Sequence, residues 1–292
     1  MKVLVTGSSG QLGQCLDLQV KKKSLTNFIF YSKLDLDLSN YKNVEKKIMD
    51  IMPNIVINAA GFTNVDSAEN NEIDSNKINN LSVKNLARIC KHINATLIHV
   101  STDYVFDGNA NKPYREEDKT SPKTVYGKTK LAGEEAIISS GCFYVIIRTS
   151  WVFSEFGNNF MKSMLDLFAK KESINIVDDQ IGCPTFAHDI AIMILELTNH
   201  IKNGKLFRNI FHFSGDNKTS WFGFAKAIYK EKRKKNHCLE CKLNPVNSYQ
   251  YKTLAERPKF SVLDCSKIDN QLNIKPSDWN KAIVDVISSL NI

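Results

Sequence analysis

Tyr126 and Lys130 stand one helical turn apart in the segment VYGKTK, and Thr102 lies 24 residues before Tyr126 in HVSTDYVFDG. On a helix, a lysine at i+4 shares a face with the tyrosine. Such a pair suits one job: passing a proton to a carbonyl oxygen while hydride arrives at the carbon. The ammonium favours phenolate and lowers a tyrosine pKa that starts near ~10. Thr102 could then share the same oxygen through a second hydrogen bond. A bare Y-x-x-x-K also arises from ordinary surface pairing, so the surrounding elements decide its meaning.

The chain begins with the apolar run KVLVT at residues 2–6, followed at once by Gly7-Ser8-Ser9-Gly10-Gln11-Leu12-Gly13 and a helix-like stretch through Leu16, Leu18 and Val20. Strand, glycine loop and helix in that order suit a dinucleotide pyrophosphate. Glycines allow a tight turn and close backbone approach, and the helix N-terminus offers free N–H groups to an anion. The spacing here is G-x-x-G-x-x-G. Further apolar strands are expected at Phe28–Tyr31, Ile55–Asn58, 96–100 and 144–147, with helices over Tyr41–Ile51, 74–92 and 124–139 between them. Alternation without hairpin signals predicts an α/β fold with a doubly wound parallel sheet of Rossmann type. In such sheets ligands lie beyond the carboxyl ends of the strands. Gly7, Ser32, Ala59, Thr102 and Thr149 follow the expected strand ends, so they should meet in one crevice, and that convergence gives the Tyr-Lys pair its weight.

The motifs TGSSGQLG, INAAGFTNVDSAE, HVSTDYVFDG, YGKTKLAGE, IRTSWVF, NNF and DDQIGCPT occur in order along the chain, with Arg257-Pro258 late in it. Together they resemble the extended short-chain dehydrogenase/reductase family, and within it the branch that completes dTDP-L-rhamnose synthesis. The resemblance covers essentially the whole chain. It implies hydride transfer from NADPH, or NADH, to the C4 keto group of a dTDP-4-keto-6-deoxy sugar, with Tyr126 as proton donor. Lys130 would bind the nicotinamide ribose and lower the tyrosine pKa. It further implies a pyrophosphate site at Gly7, Gly10, Gln11, Leu12 and Gly13, and an adenine contact at Asp37 and Leu38. Ala59, Ala60, Gly61 and Thr63 would let the cofactor pass close to the backbone. Thr102, Asp103, Tyr104, Trp151 and Asn159 would meet the substrate. Related dehydratases carry Thr-Asp-Glu where this chain has Thr102-Asp103-Tyr104. A phenol is a poor base at neutral pH, which disfavours dehydration. Some members of the branch place carboxylates for a magnesium-bridged dimer near positions 14, 15 and 188. Gln14, Cys15 and His188 supply none, so that metal site is expected to be absent, leaving a monomer or a different homodimer.

Cofactor choice can be read from one departure. An acidic residue after the second strand usually binds ribose hydroxyls and disfavours NADP. Here FIFY is followed by Ser32-Lys33, with no carboxylate until Asp35. A hydroxyl and a cation suit a 2′-phosphate, so NADPH is the expected cofactor. Arg257 in ERPKF has the forked geometry to bind a substrate diphosphate, or is a surface arginine.

Composition sets outer limits. The 292 residues accommodate a cofactor-binding domain over residues 1–150, with parts of 185–215 packing back onto it, and a smaller, mainly substrate-binding lobe over 151–292. No signal peptide or membrane-length apolar run is evident, and the seven cysteines suit a reducing cytoplasm. His237 and Cys238-x-x-Cys241 lack a second cysteine pair at finger-like spacing, so no metal is expected. The net charge of +8 owes much to lysine clusters at residues 21–23 and 230–235. Without a nucleic-acid module these read as solvated faces, and the field they create favours anionic dinucleotides and nucleotide sugars. His99, within an expected buried strand, reads as a core histidine. In the second half, helices are expected over 159–170, 185–197, from Trp221 and around 279–290. Strands are expected at 174–177 and 211–214, with interruptions at Pro245, Pro258 and Pro276.

Overall fold

A computed structural model of the chain describes residues 1–237 and 240–290. The first half runs β1 (Val3–Thr6), α1 (Gln11–Lys22), β2 (Phe28–Tyr31), α2 (Tyr41–Ile51), β3 (Ile55–Asn58), α3 (Val65–Asn70) and α4 (Glu72–Asn76). It continues through a π-helical turn at Lys77–Leu81, α5 (Ser82–His92), β4 (Thr96–Thr102), α6 (Val125–Ser140) and β5 (Phe143–Thr149). The second half contains β6 (Val152–Phe153), α7 (Phe160–Lys170), β7 (Ser173–Val177), β8 (Ile181–Gly182), β9 (Thr185–Phe186), α8 (Ala187–Lys202) and β10 (Arg208–His212). It ends with β11 (Thr219–Ser220), α9 (Trp221–Lys235), β12 (Lys242–Val246), α10 (Ser266–Leu272) and α11 (Trp279–Ser289).

Six strands form one parallel sheet in the order β10-β5-β4-β3-β1-β2. Every residue of β1 and β3 is buried, as unbroken apolar runs in a sheet covered on both faces must be. Alternate residues feed opposite layers. Val3, Val5, Ile55 and Ile57 pack with Cys15 and Leu16 of α1 and with Ile190 and Ile194 of α8. Leu4 and Val56 pack with Val44 and Ile48 of α2, Leu86 of α5 and Ile137 of α6. The winding reverses between β1 and β3, which opens a crevice beyond their carboxyl ends. A separate core of Phe153, Met161, Leu165, Ile176, Phe224, Ile228, Trp279 and Ile283 joins α7, α9 and α11.

Some elements differ from the sequence reading. The helix expected over 74–92 is divided, because the π-helical turn swings Asn79 beneath the loop after β3. Its side chain accepts from Phe62 N at 2.9 Å and donates to Phe62 O at 3.0 Å. The strand expected at 211–214 lies earlier, at Arg208–His212. The strand near 174–177 stays outside the main sheet and pairs in parallel with Lys242–Val246. Pro245 therefore sits in a short edge strand instead of interrupting the chain, an arrangement that tolerates its missing N–H. The helices α3 and α10 carry too few apolar positions to be read as periodic. Among the described residues no helix is long and apolar enough to cross a membrane, and no group of three or more His, Cys, Asp or Glu side chains could hold a metal ion. The proposed Cys238-x-x-Cys241 reading falls partly outside the described residues.

Candidate active site

The carboxyl ends of β1, β3, β4 and β5 open into a cavity of about 620 Å³. Gly7 turns there at φ +74°, and a Cβ on it would lie 2.7 Å from Ala60 N, so the two loops touch through backbone. A Cβ on Gly13 would collide with the Gly7 carbonyl oxygen, so that glycine seats α1 against the loop from behind. The helix starts at Gly10 without a side-chain cap or an acidic first turn, which leaves its N–H groups and positive dipole end for an anion. Gly7, Gly10, Gln11, Leu12, Lys33, Asp37, Leu38, Ala59, Ala60, Gly61 and Thr63 all line the cavity.

Two expected cofactor residues do not line it. Gly13 lies underneath, as described. Ser32 turns away: its hydroxyl donates to Asp35 Oδ2 at 2.6 Å, and the same oxygen accepts from Ser32 N at 2.9 Å. Asp35, three residues on, closes a local turn, and these hydrogen bonds hold its carboxyl below the usual range. The cationic half of the expected pair, Lys33, does face the cavity.

Thr124 caps α6 by accepting from Gly127 N at 3.0 Å, and Glu69 Oε1 accepts from Val125 N at 2.9 Å. This start sets Tyr126 and Lys130 on the cavity wall, both almost wholly buried. Tyr126 meets Tyr104 edge to face, with ring centroids 5.5 Å apart. Burial raises the Tyr126 phenol pKa; the neighbouring Thr102 hydroxyl opposes the rise, while Asp103 and Tyr104 add to it. The Lys130 nitrogen is turned to Val100 O at 2.6 Å and His99 Nε2 at 3.2 Å, and burial brings its pKa down to about 8 against the opposing charge of Glu134.

The Thr102 hydroxyl donates to Asp103 Oδ1 at 2.9 Å and accepts from Tyr104 N at 3.2 Å, capping the turn that follows β4. Asp103 is buried, its Oδ2 has no hydrogen-bond partner, and burial pushes its pKa up to about 6. Tyr104 is likewise pushed up to about 12 by burial and accepts from Arg257 Nη1 at 3.1 Å. Arg257 lines the cavity while its Nη2 pairs with Asp66 Oδ2, and Asp66 Oδ1 also accepts from Ala255 N at 3.0 Å. The arginine is thus built into a clamp, neither a free surface residue nor an unengaged fork. Asn159 also lines the cavity, but its amide N–H groups go to Gln11 Oε1 at 2.7 Å and Ser154 O at 2.8 Å while its oxygen caps α7.

Trp151 adopts φ +47°, an uncommon conformation for a bulky residue. It is held by the Thr185 N–H, which donates to its carbonyl at 3.1 Å, and by stacking on Trp221 with centroids 3.5 Å apart and planes 6° from parallel. Trp221, Asp66 and Asn79 shape this site without having been singled out from sequence. Asp66 lies inside the quoted INAAGFTNVDSAE motif, whereas Trp221 offers only an aromatic side chain at the start of a helix.

The arrangement can bind a dinucleotide along glycine-lined loops and present a phenol, a hydroxyl and an amine to a carbonyl. The chain is 37% identical over 287 residues to the dTDP-4-dehydrorhamnose reductase of Aggregatibacter actinomycetemcomitans, covering 98% of each. Among solved structures, it is similar to a dTDP-4-dehydrorhamnose reductase from Clostridium acetobutylicum ATCC 824, with TM-score 0.92 and 34% identity over 100% of both chains. It is also similar to the enzyme of that name from Bacillus anthracis str. Ames in complex with NADP, with TM-score 0.90 and 32% identity over 99% of this chain and 100% of that one. The profile of the RmlD substrate binding domain matches residues 1–292, and the chain belongs to that family.

Proposed function

We propose that the chain reduces the C4 keto group of dTDP-4-dehydro-L-rhamnose (dTDP-4-dehydro-6-deoxy-L-mannose) to dTDP-L-rhamnose with NADPH, for surface polysaccharide synthesis in the cytoplasm. The observation carrying this reading is the seating of Tyr126, Lys130 and Thr102 in one cavity with an uncapped helix N-terminus and the Gly7–Ala60 backbone contact. Those features fit a dinucleotide pyrophosphate. Bound NADPH supplies the hydride for C4. Tyr126 gives its proton to the C4 oxygen, and Lys130 favours the phenolate that remains. Residues 1–150, with parts of 185–215, form the cofactor side, and the remainder of 151–292 supplies mainly the substrate side. Trp151 and its Trp221 partner offer a flat apolar wall to the sugar nucleotide.

Tyr104 supports reduction over dehydration. With its pKa near 12 and its oxygen engaged by Arg257, it is no base for abstracting a proton from carbon. The direct test follows nicotinamide absorbance with a panel of dTDP-keto-sugars. Oxidation of NADPH by dTDP-4-dehydro-L-rhamnose above all others is expected, and no turnover with any sugar sinks the proposal. A Tyr126→Phe variant should keep NADPH binding and lose nearly all turnover. Retained turnover would remove Tyr126 from the mechanism.

A further inference from the structure

Asp66 reaches from α3 to the substrate side of the cavity and starts a line of contacts that ends at Tyr126. Its Oδ1 accepts from Ala255 N at 3.0 Å, and its Oδ2 pairs with Arg257 Nη2. The other terminal nitrogen of that guanidinium, Nη1, donates to the Tyr104 hydroxyl at 3.1 Å. The Tyr104 ring in turn meets Tyr126 edge to face. The backbone at both ends of this line is pinned. A Cβ on Gly108 would lie 2.6 Å from Pro258 Cβ, Gly108 O accepts from Phe260 N at 2.9 Å, and Lys259 O accepts from Ile181 N at 2.8 Å. A Cβ on Gly127 would lie 2.3 Å from Tyr104 O, so the Tyr104 turn is seated directly on α6. The backbone leaves open the rotation of the long arginine side chain, and Asp66 sets it.

A guanidinium N–H can only donate, so the Tyr104 oxygen accepts from Arg257 and keeps its own proton for another partner. Tyr104 lines the cavity, and among the described residues no protein group accepts that proton. We propose that Asp66 is a positioning residue for substrate recognition: by fixing the Arg257 fork it holds the Tyr104 hydroxyl so that its proton goes to an acceptor oxygen on the sugar of the nucleotide substrate. This inference rests on the proposed reductase reading and deepens it. The carboxylate has a second effect. The Arg257 charge on its own draws the Tyr104 proton off, and Asp66 opposes that pull, so the phenol stays a donor. The same carboxylate lies where it repels a diphosphate from the guanidinium, which sets this role apart from an arginine that binds the diphosphate directly. The ion pair also joins α3, on the cofactor side, to the Ala255–Arg257 segment on the substrate side.

Asp66→Ala removes both acceptors, and alanine suits a helical position whose side chain is 36% exposed. KM for the keto-sugar should rise about tenfold, with kcat and the NADPH dissociation constant within about twofold, because a contact made equally in ground and transition states is lost. Tyr104→Phe should raise KM by a similar factor. The double variant should be no worse than either single one, since Asp66 acts through that hydroxyl. Additive losses overturn the proposal. A lowered KM in Asp66→Ala overturns it as well, because a freed Arg257 would then be binding the diphosphate. Equal damage to kcat, KM and NADPH binding would mean a merely structural carboxylate. The clamp can also be read without substrate. In protein labelled with ¹⁵N-arginine, the Arg257 Nη signals, assigned by their loss in Arg257→Lys, should show slow guanidinium rotation that speeds up in Asp66→Ala. Fast rotation in the wild-type protein overturns the proposal. Absence of wild-type turnover with every sugar sinks the reductase reading, while the arginine measurement still reports on the clamp.

Discussion

A Cβ added to Gly182 would lie 2.5 Å from Cε2 of Trp151, so the indole fills the space this glycine leaves. The DDQIGCPT segment thereby acts on the site by making room for a side chain, with no contact of its own to the cavity. Gly182→Ala should push Trp151 off Trp221 and raise the KM for the keto-sugar about tenfold while NADPH affinity stays within about twofold. Steady-state kinetics with fluorescence titration of the cofactor would check this. An equal loss of both affinities would place the damage in the fold instead of the substrate wall.

Asp103 makes a stability prediction with a definite sign. Its folded pKa of about 6 is above the ordinary 3.8, so between those values the native state holds more protons than the unfolded chain. Its contribution to stability is therefore present at low pH and lost as pH rises through about 6. Asp103→Asn removes the buried charge and gives the unpartnered Oδ2 position to an amide. It should raise stability at about pH 7 on the order of 2 kcal/mol and change it little at about pH 4. Urea denaturation at the two pH values measures the difference. A destabilised variant at neutral pH would show that the ionised carboxylate is needed by its neighbours.

The parts legible in the sequence were those fixed by local spacing. Tyr41–Ile51 has one apolar face and Asn40 accepting from Asn43 N as its cap, and β1 and β3 are short apolar runs that only a doubly covered sheet can bury. The Tyr126–Lys130 spacing likewise needs nothing but a helix. What stayed hidden depends on partners far along the chain. Arg257 reads as an available fork until Asp66 is seen against it, the Asn159 amide also bonds Gln11, and the Lys130 nitrogen also meets His99 and Val100, contacts that no local spacing reports. Ser32 is the exception. Its partner Asp35 is only three residues away, so a Ser-x-x-Asp turn was locally readable and competes with the cofactor for the same hydroxyl.

Glu134, one turn beyond Lys130, forms a buried pair with Arg148 of β5, with Nη2 2.7 Å from Oε2, and accepts from the Ser101 hydroxyl as well. Both side chains are at most 3% exposed, so removing one leaves the other charged in the core. Arg148→Ala should cost about 3–5 kcal/mol of stability, whereas the double change Arg148→Met with Glu134→Leu should recover most of it. Denaturant unfolding of the singles and the double decides between a pair that anchors α6 to the sheet and one that is incidental. A single-variant cost below about 1 kcal/mol would favour the latter.

Lys33 lines the cavity while Ser32 donates to Asp35, so cofactor discrimination should depend on the cation and not on the hydroxyl. A charge-assisted bond to a 2′-phosphate contributes about 1.5–3 kcal/mol, enough for a tenfold preference or more. Lys33→Ala should therefore lower kcat/KM with NADPH at least about tenfold while leaving the value with NADH nearly unchanged. Lys33→Arg should retain the preference, because a guanidinium also pairs with phosphate. Ser32→Ala should shift the ratio by less than about twofold, since its oxygen is already engaged by the Asp35 carboxylate. Comparing the two cofactors across these three variants is a ratio measurement, insensitive to how much of each preparation is active. An unchanged ratio in Lys33→Ala together with a collapsed one in Ser32→Ala would mean that cofactor binding breaks the Ser32–Asp35 turn and recruits the hydroxyl.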